Sequence, residues 1–356
     1  MEYRLYRSNP IEMLREPVPS PQAWTGKELA KSSEWVTHWT AEELRELDDA
    51  LRAVAREGFG WGQFGRDQFR LPGLAARLRW IESELIDGRG FVLLRGLPVE
   101  RYSVQELKTI YWGLSVNLGR VMSQNARGAV IEHITDTGAK NIGDPNLRLY
   151  VTSAAQPPHA DQADVVGLLS VDRAKEGGES VIASMMAIYN RILQDHPEYL
   201  EVLYEGMYHD LRGEGQTGDI NETSDVPVPV FSYRNKRLRS WFHGKKLRYG
   251  AGKRNSELTP LQREAIDYIE RLGADPDLRL DMQLERGDIQ FLNNYSSIHW
   301  RTAFTDGDGH KRLLLRVWIN LEKMDDFDPA ITKWVREGVA QQNWAFHKSL
   351  VALGEV

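Results

Sequence analysis

Apolar residues recur at helical spacing in the first third of the chain. Leu44, Leu47, Leu51 and Val54 share one helical face, and Thr40 with Glu43 forms a capping box that opens it. Leu74, Leu78, Ile81 and Leu85 repeat the spacing until Gly88 stops it, and Ser103 with Glu106 opens a third helix. Between the second and third, the apolar run Phe91-Val92-Leu93-Leu94, closed by Gly96, predicts a buried strand. Residues 1–35 are Pro-rich and irregular and are expected to wrap over the surface.

From residue 147 the pattern changes to short apolar or β-branched runs bounded by Pro or Gly. Strands are predicted over 147–154, 165–171 and 180–183, a helix over 187–204, and a hairpin over 227–242 turning at Asn235. Thr259-Pro260-x-Gln262 starts a helix that runs through Ile266, Ile269 and Leu272 to Gly273. Strands resume over 278–284, 289–293, 298–304 and 313–321. A helical tail, 329–350, carries Trp334 and Trp344. Many short strands with one helical insert and flanking helices predict an α+β chain with a jelly-roll core. The expected division is a wrapping and helical segment over 1–90, a barrel domain over 91–325 with its insert near 186–275, and a C-terminal helix over 326–356 packed on the barrel.

Composition narrows the function. The chain is 41% hydrophobic and 27% charged, ordinary for a globular protein, so its 356 residues suffice for a substantial core. A net charge of −6 argues against nucleic acid as a partner, and the basic run 234–239 alternates with apolar residues as a solvated strand face would. The absence of cysteine excludes disulfides, thiolate metal sites, iron–sulfur clusters and cysteine nucleophiles. No run reaches the length of a membrane span and the N-terminus lacks the apolar core of a signal peptide, so a cytoplasmic location is expected.

The candidate chemistry centres on Gln156-Pro157-Pro158-His159-Ala160-Asp161. In an extended segment residues two apart share a side, so His159 and Asp161 can both reach one metal ion, and the two prolines restrict the backbone that presents them. With nine His and 51 acidic residues in 356, about one His-x-acid triplet arises by chance, so context must decide. His196-Pro197-Glu198 lacks such context and is read as coincidence. His209-Asp210 reads as a surface pair.

The context is Val165-Val166-Gly167-Leu168-Leu169 and Gly177-Gly178-Glu179-Ser180, then Arg286-Gly287-Asp288-Ile289-Gln290-Phe291-Leu292-Asn293-Asn294. It continues through Ile298-His299-Trp300-Arg301-Thr302-Ala303-Phe304 to Arg312-Leu313-Leu314-Leu315-Arg316-Val317-Trp318. From about residue 91 to 321 the chain resembles the taurine dioxygenase (TauD/TfdA) family, iron enzymes built on a double-stranded β-helix. The resemblance implies that His159, Asp161 and His299 hold Fe(II) and that 2-oxoglutarate and O2 are co-substrates. A small molecule would be oxidised, most simply hydroxylated at a C–H bond, with release of succinate and CO2. Two imidazoles and one carboxylate leave room on the ion for a bidentate 2-oxo acid and dioxygen.

By family position Arg312 would grip the distal carboxylate of 2-oxoglutarate, supported by Ser180, with Arg316 facing the metal-proximal carboxylate or the substrate. Gln124, Trp241, Trp300 and Arg301 are candidate substrate contacts, and Asn125, Arg127, Arg212 and Arg239 lie in segments expected to line the pocket. Because Asp161 is a carboxylate, no position is vacated for chloride. The rival readings are a non-oxidative metal enzyme on a cupin-like barrel and a silent barrel acting as a binding module. A homodimer through the Trp-bearing tail is left open.

Overall fold

A computed structural model describes residues 11–125, 127–139, 148–215, 217–325 and 327–337. The first third holds helices α1 (Gly26–Leu29), α2 (Ala41–Arg56), α3 (Ala75–Ile86) and α4 (Val104–Leu118) with strands β1 (Val36–His38), β2 (Phe91–Arg95), β3 (Arg120–Met122) and β4 (Ile131–Ile134). There follow β5 (Val165–Asp172), β6 (Glu176–Gly177), β7 (Ser180–Ser184), α5 (Met185–Asp195), α6 (Tyr199–Glu205), β8 (Phe231–Arg234), β9 (Arg237–Ser240), α7 (Gly244–Lys253) and α8 (Pro260–Ala274). The last third adds β10 (Arg279–Met282), β11 (Ile289–Asn293), β12 (Ser297–Arg301), β13 (Phe304–Thr305), β14 (Leu313–Asn320) and α9 (Pro329–Ile331). The capping boxes at Thr40, Ser103 and Thr259 form in both directions.

The large sheet runs β1-β2-β11-β5-β14-β3, with β4 also on β14, and the small sheet runs β10-β7-β12. Strand alternation sorts their side chains into layers. Phe91, Leu93, Val166, Leu292, Leu314 and Trp318 of the large sheet meet Ile182, Leu280 and Met282 of the small one. The outer face of the large sheet (Val92, Phe291, Leu315, Val317) packs on α2 to α4, and that of the small sheet (Ala183, Ile298) on α5, α6 and α8. The fold is therefore a double-stranded β-helix held between two helical layers. No helix among the described residues is long and apolar enough to cross a membrane.

Four expectations need correction. The strand over 147–154 does not form in its described part, which holds a 3-10 turn at Leu149–Val151. The Arg301 guanidinium takes the carbonyls of Leu149 and Thr152, which a strand neighbour would otherwise use. The helix over 187–204 is two helices, because Pro197 has no N–H to continue the ladder. The segment before residue 35 does more than wrap: Trp24 enters the core between the sheets. Of the tail, the described residues show α9 and a π turn, Thr332–Arg336. Trp334 is buried there, its Nε1 donating to Asp225 at 2.7 Å, and so presents no surface for a partner. Trp344 lies outside the described residues.

Candidate active site

His299 sits in the middle of β12, and alternation turns Ser297, His299 and Arg301 toward the interior. The segment behind Pro157-Pro158 lies beside it as an isolated antiparallel bridge. The N–H of His159 donates to the carbonyl of His299 at 3.1 Å, and that of His299 to the carbonyl of His159 at 2.8 Å. Two residues 140 positions apart are thereby opposed, with ring centroids 4.6 Å apart.

Asp161 closes the triangle. His159 Nε2 lies 3.9 Å from its Oδ1 and His299 Nε2 lies 3.8 Å from its Oδ2. One donor atom from each residue falls within 4.8 Å of the others, the spread that a single ion can bridge. The tautomer suits a ligand. His159 Nδ1 meets the carbonyl of Pro157 at 2.8 Å, so the hydrogen sits there and Nε2 keeps its lone pair.

Asp161 is fixed on every side. Its N–H donates to Asn294 Oδ1 at 2.9 Å and its carbonyl accepts from Trp241 Nε1 at 2.9 Å. Its Oδ2 accepts from Trp318 Nε1 at 2.9 Å and from Arg316 Nη1 at 3.4 Å. Burial alone would raise the Asp161 pKa, but Arg316, the two imidazoles and the Trp318 hydrogen bond together hold it well below the usual carboxylate range. Burial pushes His299 down to about 3 and lowers His159 as well, despite the attraction of Asp161. At neutral pH the set is two neutral imidazoles and one carboxylate, the protonation state a divalent metal requires.

A pocket next to the triad is lined by Ser180, His299, Arg301, Arg312 and Arg316. Arg312 is buried over the ring of Phe304, at 5.2 Å, and its Nη1 has no hydrogen-bond partner among the described residues. Burial and the neighbouring Arg301 hold its pKa down to about 9. A buried guanidinium with an idle donor is a receptor for a carboxylate. Ser180 Oγ donates to Gln290 Oε1 at 3.2 Å within the same pocket.

The expected substrate contacts separate into groups. Gln124 is buried and holds Arg316: it accepts from Arg316 Nε at 2.6 Å and donates to the carbonyl of Arg316 at 2.8 Å. Trp241 is fully buried behind Asp161 and lines neither cavity beside the triad. Trp300 borders the pocket, but its side chain packs on the outer helical layer. Arg301 faces the pocket, tied to backbone carbonyls. Asn125, Arg127 and Arg239 lie outside both cavities, whereas Arg212 lines the larger one.

That larger cavity also presents Arg148, Tyr150, His243 and Lys246, none of which the sequence analysis named. Buried Arg and Lys are rare enough that periodicity gives no hint of them. His209-Asp210 is not a surface pair either. His209 is buried against Trp241, ring centroids 4.7 Å apart, and Asp210 accepts from Lys253 Nζ at 2.6 Å.

Comparison with known proteins supports the same reading. Residues 55–318 match the model of the "Taurine catabolism dioxygenase TauD, TfdA family". FR-33289 synthase of Streptomyces rubellomurinus is 30% identical over 339 residues, covering 93% of this chain and 99% of that protein. Taurine hydroxylase-like protein SAT17 of Stachybotrys chartarum is 29% identical, covering 85% of this chain and 79% of its own. Among solved structures, asparagine oxygenase in complex with Fe(II), 3-hydroxyasparagine and succinate superposes with a TM-score of 0.63 at 14% identity, over 81% of this chain and 94% of that one. The non-haem iron oxygenase OrfP, in complex with Fe and alpha-ketoglutaric acid, gives 0.59 at 17% identity, over 80% and 93%. With about three quarters of its length matched by the family model, this chain belongs to the TauD/TfdA dioxygenase family.

Proposed function

We propose that this chain, a non-haem iron, 2-oxoglutarate-dependent dioxygenase by family, holds Fe(II) with His159, Asp161 and His299 and hydroxylates a C–H bond of a small anionic substrate. The observation that carries the reading is the convergence of these three donor atoms within 4.8 Å beside Arg312, a buried guanidinium with an idle donor. In this assignment Arg312 pairs with the distal carboxylate of 2-oxoglutarate, Ser180 adds a hydroxyl, and Arg301 adds positive field. Gln124 orients Arg316, which with Trp318 keeps Asp161 ionised and aimed. Iron bound there would supply the oxidising chemistry, O2 giving one oxygen atom to 2-oxoglutarate, which leaves as succinate and CO2, and the other to the substrate as its hydroxyl. The protein supplies geometry, charge balance and exclusion of water. Asparagine oxygenase and OrfP carry small hydroxylated amino acids, which supports a small polar substrate.

The test is anaerobic addition of Fe(II) and 2-oxoglutarate, read as a weak visible charge-transfer band, followed by succinate release in air. His159→Ala, Asp161→Ala and His299→Ala are expected to lose both signals. Arg312→Ala is expected to keep iron binding but raise the 2-oxoglutarate KM by about tenfold or more, the value of a buried charge-assisted pair. A full band in Asp161→Ala, or an unchanged KM in Arg312→Ala, overturns the assignment.

A further inference from the structure

The cavity beside the triad holds more positive charge than its acids balance. Arg148 is paired with Glu214, and Arg316 faces Asp161 at 3.4 Å. Arg212 and Lys246 have no carboxylate of their own in hydrogen-bond contact, and the longer-range attraction of Asp210 and Glu214 does not offset their burial and repulsion. Arg212 Nη2 lies 3.1 Å from His243 Nε2, and its Nε has no hydrogen-bond partner among the described residues. Asp210, two residues before it, is taken by Lys253 Nζ at 2.6 Å and by the backbone N–H of Arg212 at 2.8 Å. Lys246 is buried, and its Nζ donates to the neutral Gln162 Oε1 at 2.6 Å.

Such cations resist burial, and the site shows it. Burial, then the charge of Arg148, holds Arg212 down to about 10. Burial, then the charge of Arg212, holds Lys246 down to about 7. Arg212 also adopts φ 53°, a left-handed conformation that its side-chain type avoids. Helix α7 begins at this wall with no side chain capping its first N–H groups, which adds a positive dipole end. Unpaired donors and mutual repulsion converge on one place, and an anion there relieves both.

We propose that Arg212 and Lys246, with the start of α7, bind a doubly charged tetrahedral head group, a phosphonate or a phosphate monoester, at one end of the substrate. Arg212 is a standing cation and Lys246 takes up its proton as an anion arrives, so two positive charges on one wall meet two negative charges on one group. A sulfonate or a single carboxylate neutralises half of that, and a dicarboxylate places its charges at opposite poles. His243 sits between Arg212 and the triad, its ring centroid 5.2 Å from that of His159. The head group and the metal ligands therefore face one cavity with His243 between them, and the charged atom and the oxidised carbon belong to one small molecule. The substrate is a short-chain molecule. The identity of the oxidised carbon rests on the dioxygenase reading; the anion site does not.

The test uses the full chain treated with chelator, so that neither iron nor turnover enters the readout. Binding of propylphosphonate, propyl phosphate, propanesulfonate and butyrate is measured by thermal shift. The two compounds with a PO3 group are expected to bind about tenfold tighter or better than the other two. Arg212→Met and Lys246→Met are each expected to weaken them by about tenfold and to erase most of the preference. Whichever PO3 compound binds tighter decides between phosphonate and phosphate monoester. Equal affinity for propanesulfonate, or affinities unmoved in folded Arg212→Met and Lys246→Met, overturns the proposal. A missing charge-transfer band beside an intact PO3 preference would instead sink the iron assignment and leave this one standing.

Discussion

Lys246 carries a proton that its surroundings resist, and this has a consequence for stability that does not depend on any ligand. The side chain is 3% exposed, and burial followed by the charge of Arg212 brings its pKa to about 7, from an ordinary 10.5. Between those values the unfolded chain binds a proton that the folded chain does not. Stability therefore rises with pH across that window, and the full cost of burying the charge is felt below pH 7. Lys246→Met removes the titration. The difference in Tm, variant minus wild type, is expected to be about 3 °C or more larger at pH 6 than at pH 9. A difference that is flat with pH, or larger at pH 9, would show that Lys246 is solvated and unshifted. At this scale legibility followed chemical type. His159 and Asp161 stand out because donors two apart in an extended segment share a side and their context resembles a known family, and Arg312 stands out through its position in that resemblance. Lys246, Arg148 and Arg212 do not, because long cations usually keep their heads in water and nothing local signals that they have been taken out of it.

Elements position these residues by pressing backbones together, and one glycine marks where this matters for the site. A Cβ on Gly250 of α7 would stand 2.2 Å from the carbonyl oxygen of Tyr208. Close approach there lets the helix dock on the segment that carries Arg212, with the N–H of Asp210 donating to the carbonyl of Lys246 at 3.0 Å. Gly250→Ala forces the two apart at a cost of about 1–3 kcal/mol. The expected outcome is a lower Tm and a raised substrate KM, with the 2-oxoglutarate KM unchanged because Arg312 lies on β14's approach and not on α7. A raised 2-oxoglutarate KM of equal size would mean that the substitution disturbs the barrel as a whole. Element boundaries were legible where one chain segment decides them. The capping boxes at Thr40, Ser103 and Thr259 set helix starts from four residues each. They were illegible where a distant group decides. The turn at Leu149–Val151 exists because Arg301 claims its carbonyls, and β1 is a strand because β2 offers an edge to pair with.

For the molecule as a whole, the three proposed ligands would do more than hold an ion. His299 belongs to β12 of the small sheet, whereas Asp161 is anchored through Trp318 and Arg316 to β14 of the large sheet, and His159 hangs between them on its bridge to His299. A metal bound by all three would tie the two halves of the β-helix together. Jelly-roll architecture was readable from many short strands with one helical insert and flanking helices, but the tie was readable only through the family resemblance, because it joins residues 140 positions apart through a single pair of backbone hydrogen bonds. Any ion that binds the folded state and not the unfolded one stabilises by mass action, about 4 kcal/mol at a thousandfold excess over Kd. Chelator-treated protein is therefore expected to gain about 5 °C or more in Tm on addition of redox-inert Mn(II). His299→Ala and Asp161→Ala, which each cut one side of the tie, are expected to melt cooperatively but to ignore the metal. An equal metal-dependent shift in both variants would place the stabilising ion elsewhere, and the two sheets would then be joined by their apolar layer alone.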